Sequence, residues 1–133
     1  MPVEVSWGNP EKTVIYSTYS EMWTLEEHHA AIDQIHSMVM SVGHTVDFIG
    51  DFSKSRSSPA KLVSSGRHME NVKTSNTGIN VIVNASPFIK AMAQVVLRMF
   101  LKDVTTYFAN SREEAYQMIE RHREKTSNQG LRT

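Results

Sequence analysis

The segment Asp51-Phe52-Ser53-Lys54-Ser55-Arg56-Ser57-Ser58-Pro59 sets four hydroxyls among two cations, and Lys61 follows just beyond it. Such a mixture can bind an anion or accept a phosphate. Ser58-Pro59 also reads as an N-cap followed by the first helical residue, where free backbone N–H groups and the helix dipole favour negative charge. A phosphate on Ser57 or Ser58 would meet the dipole and the cations together. The same residues equally suit a solvated turn whose last serine only caps a helix.

Six histidines raise the question of a metal. His29, Asp33 and His36 are spaced i, i+4, i+7 and share one helix face, with Glu26 a turn earlier. Two imidazoles and a carboxylate can supply three of the four ligands of tetrahedral zinc. The spacing is not that of the His-Glu-x-x-His metalloproteases, a solvated face accounts for it as well, and no metal is expected. His28 lies beside the apolar stripe of the same helix and is expected to be a packed, hydrogen-bonded core residue. The chain has no cysteine, which removes thiolate ligands, iron–sulfur ligation, disulfides and cysteine nucleophiles together. No Gly-x-Ser-x-Gly elbow occurs, and Gly66 and Gly78 are isolated, so neither a serine hydrolase nor a P-loop or dinucleotide fingerprint is present. No catalytic residue and no cofactor is expected.

The elements that must position these groups follow from periodicity. Val3, Val5 and Trp7 alternate with polar residues, Gly8-Asn9-Pro10-Glu11 supplies a turn, and Lys12 to Tyr19 resumes β-type residues, predicting an opening hairpin. Thr24 with Glu27 is a capping box for a helix to about Val42, striped by Leu25, Ile32, Ile35, Val39 and Val42. Thr45 to Phe52 predicts a strand. A second helix starts at Ser58-Pro59 on Leu62, Val63, Met69 and Val72, and Ile79 to Val83 predicts another strand. Ser86-Pro87 opens a third helix to about Leu101, Val104 to Phe108 a last strand, and Ser111 with Glu114 caps a last helix on Ala115, Met118, Ile119 and His122. The order β-β-α-β-α-β-α-β-α predicts one α/β domain over residues 1–125, a mixed sheet whose N-terminal antiparallel hairpin leads into parallel βα units packed with about four helices. Residues 126–133 are expected to be a polar, frayed tail. In such sheets ligands gather outside the carboxyl ends of the strands. Asp51 to Pro59 and Asn84 to Pro87 qualify by position.

The third helix is apolar around most of its circumference, leaving Lys90, Gln94, Arg98 and Lys102 as a thin polar stripe. A helix with one covered side needs only about a 100° apolar face. The excess is explained by burial under both sheet and helices, or by a face of Phe88, Met92, Val96, Met99 and Phe100 that meets a partner, a second copy or an apolar ligand.

The 133 residues fit one domain, and an apolar share of 40% is enough for a core at that size. Fourteen bases against fourteen acids argue against a general nucleic-acid or membrane-surface binder. The balance hides a split: from Thr13 to Ser53 there are six acids and no Lys or Arg, and from Lys54 to Lys102 eight bases and one acid. A two-faced molecule with heterotypic or head-to-tail contacts is the expectation. Met-Pro-Val-Glu-Val is no signal peptide, and Phe88 to Leu101 is shorter than the ~20 apolar residues of a membrane span. A soluble, cytoplasmic protein is expected.

The ordered motifs resemble the STAS fold, named for sulfate transporters and anti-sigma-factor antagonists, and within it the SpoIIAA-like group that borders the lipid-binding SEC14-type domains. The resemblance rests on Met22-Trp23-Thr24 with Glu27, on Asp47-Phe48-Ile49-Gly50-Asp51-Phe52-Ser53, on Ala85-Ser86-Pro87-Phe88, and on Tyr107-Phe108-Ala109-Asn110-Ser111-Arg112-Glu113-Glu114-Ala115. It implies a small non-catalytic regulatory domain that binds a protein partner or itself. It also implies a regulatory loop of Asp51, Ser53, Lys54, Arg56, Ser57, Ser58 and Lys61, with phosphorylation at Ser57 or Ser58. The Asp-Ser-Ser-Gly motif that carries phosphorylation in the family is replaced here by Arg56-Ser57-Ser58-Pro59. The alternative implied by the lipid-binding relatives is a carrier of a small apolar or anionic ligand between the third helix and the sheet.

Overall fold

The computed structural model describes residues 2–56 and 60–131. Strands β1 (Val3–Trp7) and β2 (Val14–Tyr19) form the expected antiparallel hairpin. Its turn is held by Asn9, whose side-chain oxygen accepts the amides of Thr13 and Val14 at 3.0 and 3.1 Å, and Lys12 takes a left-handed φ of 58°. Helix α1 (Leu25–Met40) begins in the reciprocal capping box, with the Glu27 amide on Thr24 Oγ1 at 3.1 Å and the Thr24 amide on Glu27 Oε1 at 2.9 Å. Strand β3 (Val46–Asp51), the short helices α2 (Ala60–Ser64) and α3 (Gly66–Asn71), β4 (Thr77–Val83), α4 (Pro87–Phe100), β5 (Thr106–Ala109) and α5 (Arg112–Leu131) complete the chain.

The five strands lie in the order β1-β2-β3-β4-β5, antiparallel at the first pair and parallel thereafter, as the element order predicted. Period-two alternation divides the core between two faces. Val14, Tyr16, Ile49, Val81 and Val83 pack against Ala115 and Ile119 of α5. Tyr19 and Ile82 join Ala31 of α1, Leu62 of α2, and Ile89, Ala93 and Val96 of α4 on the other face. Helix α5 covers one side of the sheet and the remaining helices cover the other.

Several expectations need correction. The second helix is two helices, broken at Ser65, whose wholly buried hydroxyl donates to the Leu62 carbonyl at 2.7 Å. A serine bonding back to a carbonyl one turn earlier competes with helix propagation. Gly66 follows, so close beneath Phe100 of α4 that a Cβ would enter the ring. The predicted N-cap, Ser58-Pro59, lies outside the described residues. The last strand starts at Thr106 rather than Val104, whose amide instead closes a turn on Leu101 O at 3.1 Å. The backbone of α5 stays helical to Leu131, through the stretch expected as a frayed tail.

Asp47 holds β3, β4 and α5 together. The register of β4 gains one residue against β3 between Val46 and Phe48, a bulge that leaves the Ile79 amide without a ladder partner. Asp47 Oδ1 accepts that amide at 2.8 Å, in space that a Cβ on Gly78 would occupy. Its Oδ2 accepts from Arg123 Nε at 2.9 Å, and Arg123 also donates to Thr13 O at 3.0 Å. The Asp47 side chain is 4% exposed and that of Arg123 41%, so the two partners are unequal. Asp47→Ala strands a buried amide and is expected to cost about 3 kcal/mol in urea unfolding. Arg123→Ala is expected to cost about 1–2 kcal/mol, because the buried carboxylate loses its cation but keeps the Ile79 amide, and the guanidinium is partly solvated.

Candidate functional site

At the carboxyl ends of β2, β3 and β4 the side chains converge on Asp51. Tyr16 donates its hydroxyl to Asp51 Oδ2 at 2.7 Å, and Ser53 donates its amide and its hydroxyl to Oδ1 at 2.9 and 2.5 Å. Asn84, at the end of β4 with a left-handed φ of 53°, donates from Nδ2 to Ser53 Oγ at 2.8 Å. The guanidinium of Arg112, at the start of α5, lies 4.4 Å from the centre of the Tyr16 ring. Burial alone would push the Asp51 carboxyl up, but the hydrogen bonds from Ser53 and Tyr16 outweigh it and hold the group below the usual carboxylate value. Burial and the adjoining carboxylate push the Tyr16 hydroxyl far up, which keeps it a donor.

Ser55, Arg56 and Lys61 are stitched to the β2–α1 connection. Trp23 donates from Nε1 to Ser55 Oγ at 2.8 Å, and the Arg56 amide bonds Glu21 O at 2.7 Å. Lys61 donates to Trp23 O at 2.6 Å and sits over the indole. Arg56 and Glu21 form a wide ion pair, 3.5 Å apart, with both side chains mostly solvated. Lys54 is exposed. Of the expected regulatory residues, the fold thus brings Asp51, Ser53, Lys54, Arg56 and Lys61 to one end of the sheet. Ser57 and Ser58 lie outside the described residues. The two segments singled out by position, after β3 and after β4, meet through Ser53 and Asn84. Sequence reasoning missed Tyr16 and Arg112, because nothing local marks a tyrosine in an apolar strand or an arginine after an N-cap as partners of a distant aspartate.

A second feature lies between the sheet and helices α1, α3 and α4. It is a cavity of about 220 Å³, lined by Phe48 and Ile82 of the sheet, Ile32 and Val39 of α1, Met69 of α3 and Val96 of α4. An apolar void smaller than this can stay dry and take up a small apolar molecule. The expected partner face of α4 is therefore split: Val96 is buried and faces the cavity, and Phe100 packs on Gly66 and under Arg67. Met92 is half-buried, while Phe88 and Met99 stand in solvent, 75% and 60% exposed.

His28 forms part of the cavity wall and is the packed, hydrogen-bonded residue its stripe predicted. Its Nδ1 lies 2.9 Å from the Tyr19 hydroxyl and its Nε2 3.0 Å from Ser65 Oγ. Because Ser65 gives its proton to Leu62 O, Nε2 must donate to Ser65, and Nδ1 must accept from Tyr19. A nucleophilic serine would need its proton on the imidazole; here it points the other way. The helix face of His29, Asp33 and His36 is engaged in other contacts. Asp33 bonds His68 at 2.7 Å, His36 Nδ1 donates to Val72 O at 2.7 Å, and the His29 ring stacks on His68. Among the described residues no group of three or more His, Cys, Asp or Glu could hold a metal ion.

Burial, reinforced by His29 and His68, pushes the His28 imidazole down to about 4 from 6.5. Between those values the unfolded chain binds a proton that the folded chain does not, so stability rises with pH across the window. Wild type is expected to lose ~3 kcal/mol as pH falls from about 6.5 to about 4 beyond what His28→Gln loses, read from urea midpoints across the range.

No protein-family model and no curated protein matches the sequence. Solved structures do match. The anti-sigma factor antagonist SpoIIAA in its unphosphorylated form superposes with a TM-score of 0.54 over 89% of this chain and 96% of its own, at 13% identity. The phosphorylated form of SpoIIAA, a Bacillus cell fate determinant, gives 0.47 over 88% and 98%, at 16% identity. The chain has the STAS-type fold of SpoIIAA, the fold that its ordered motifs implied. Among the described residues no helix is long and apolar enough to cross a membrane.

Proposed function

We propose that this chain is a non-catalytic, cytoplasmic regulatory domain of STAS type that binds a protein partner through the loop from Asp51 to Lys61 and the adjoining α2. The observation that carries the reading is the construction of the loop. Among its described residues, Ser53 is fixed in the Asp51 cluster and Ser55 and Arg56 by their contacts to Trp23 and Glu21, while the Lys54 and Arg56 side chains are exposed. A surface pre-ordered in this way loses little conformational entropy on binding. The solved protein that shares the fold is itself an anti-sigma factor antagonist, which favours a regulatory role over catalysis. Ser57 or Ser58 is the proposed phosphate acceptor. A phosphate there would reverse the charge between Arg56 and Lys61, and with it the match to an acidic partner.

The experiment compares proteins captured by wild type and by Lys54→Glu with Arg56→Glu, then measures the purified pair by calorimetry at low and high salt. A partner bound by wild type, weakened at least tenfold by the double variant at unchanged melting temperature, and released by salt is expected. Binding indifferent to both charge reversal and salt would refute the loop as the contact.

The cavity beside Val96 favours a second reading, a carrier of a small apolar or anionic ligand. Native mass spectrometry of gently purified protein separates the two. A retained small molecule that Val96→Trp excludes supports the carrier, while a mass equal to the bare chain, or to an even multiple of it, supports the interaction domain or its homodimer.

A further inference from the structure

Helix α3 is six residues long, and of these Gly66 alone is buried. A helix this short does not hold itself in water, so its place depends on its neighbours. Toward α4 it rests on Phe100 through Gly66 and Arg67. Toward α1, among the described residues, every hydrogen bond of the stretch Ser65 to Val72 has an imidazole in it. These are His28 with Ser65, Asp33 with His68, and His36 with Val72. The stacked rings of His29 and His68, centroids 4.4 Å apart, complete the contact. Met69 and Val72 of this stretch wall the cavity from the outside of the sheet.

We propose that α3 is a flap over the apolar cavity, latched to α1 through histidines and released by mild acid. The latch is electrostatically short of acceptors. Asp33 is the carboxylate bonded within it, and His68 already occupies an oxygen of that group. A proton on His28 would turn Nδ1 from acceptor to donor against the Tyr19 hydroxyl, inside the protein. Beside it, the buried His29 Nε2 has no hydrogen-bond partner among the described residues. The groups against these two rings are Tyr19 from β2, the Trp23 ring, and Ser65 and His68 from the α2–α3 stretch; on α1 itself Asp33 bonds His68, and the exposed Glu26 lies a turn before His29. Glu27 on the same helix is committed to the Thr24 cap. Arg67 on α3 lies over Phe100, and Lys73 beyond it pairs with Asp103. Parting α3 from α1 separates His28 from Ser65 and lets water reach the ring, so the open form binds that proton more readily and gains as pH falls. The Phe100 contact has no group that titrates in this range, so α3 stays seated on α4 as it leaves α1. The flap is independent of which partner the loop meets and of what the cavity holds.

Amide hydrogen exchange on the full chain at pH 7.5 and 5.5, corrected for intrinsic rates, tests this. With an ordinary imidazole in the open form, His28 alone raises the opening constant about tenfold over that interval. Protection of the amides from Ser65 to Val72 is expected to fall by at least that factor in wild type, and at both pH values to stay below that of Ile49 in β3 and Val81 in β4, which open with the whole fold. In folded His28→Gln the fall at α3 is expected to vanish. Equal protection of α3 at both pH values, protection of α3 no lower than that of the β4 amides, or an undiminished fall in His28→Gln would overturn the proposal.

Discussion

A neutral imidazole in the core can satisfy both of its nitrogens only if one neighbour gives a proton and another takes one. His28 meets that demand with Tyr19 on one side and Ser65 on the other, and Ser65 passes its own proton to Leu62 O. Because each group has one assignment left to it, the chain of bonds fixes more than the ring. It passes through the residue at which the second helical stretch breaks. Beyond the break α3 bonds α1 through His68 and rests on Phe100 of α4, and its Met69 lines the cavity. An unpaired member of such a chain costs about 1–3 kcal/mol, so the members stand or fall together.

Strand β3 carries the other two decisive polar groups, one near each end. Asp47 faces the α5 side and replaces a missing ladder acceptor at the β4 bulge, so its role is to let the sheet keep its register through an irregularity. Asp51, four residues on, ends the strand and organises the loop beyond it. The first is buried and paired with a cation, and the second is half-buried and bonded by neutral hydroxyls. The contrast in partners matches the contrast in tasks. An ion pair at Asp47 resists opening, whereas a carboxylate satisfied by serine and tyrosine keeps its charge near the surface, where it shapes the field over the loop.

Much of this was legible in the residues, where a short-range rule was at work. Thr24 with Glu27, Ser86 before Pro87 and the alternation through Ile79 to Val83 each need only a few neighbours to be read, and each sits where it was expected. The packing of His28 was legible from its place beside an apolar stripe. The partners of Asp51 were not, because Tyr16 lies on another strand and Arg112 on the last helix. The break at Ser65 was also hidden: a buried serine in the middle of an apolar pattern looks like a tolerated polar residue until its two partners are known. The place of Val96 was equally hidden, because the apolar excess on α4 has two destinations, and periodicity does not tell a cavity wall from a docking face.

The division of acids and bases along the chain takes on a different meaning in three dimensions. The acidic stretch does not make an acidic face. Asp47 is buried against Arg123, Asp51 is enclosed by hydroxyls, Asp33 bonds His68, and Glu27 is committed to its cap. Glu21 and Glu26 are different: Glu26 is exposed on the first turn of α1, and Glu21 meets Arg56 across 3.5 Å in open solvent. An exposed pair of that kind contributes at most about 1 kcal/mol and yields to salt. Most of the negative charge is therefore held in place by the fold, while the positive charge of Lys54 and Arg56 is opposed by one weak and displaceable neighbour. Any stronger anion, whether a carboxylate on another protein or a phosphate on the adjoining serines, competes with Glu21 for the same guanidinium. The loop is the point on the molecule where a modest change in charge can rearrange contacts without disturbing the sheet beneath.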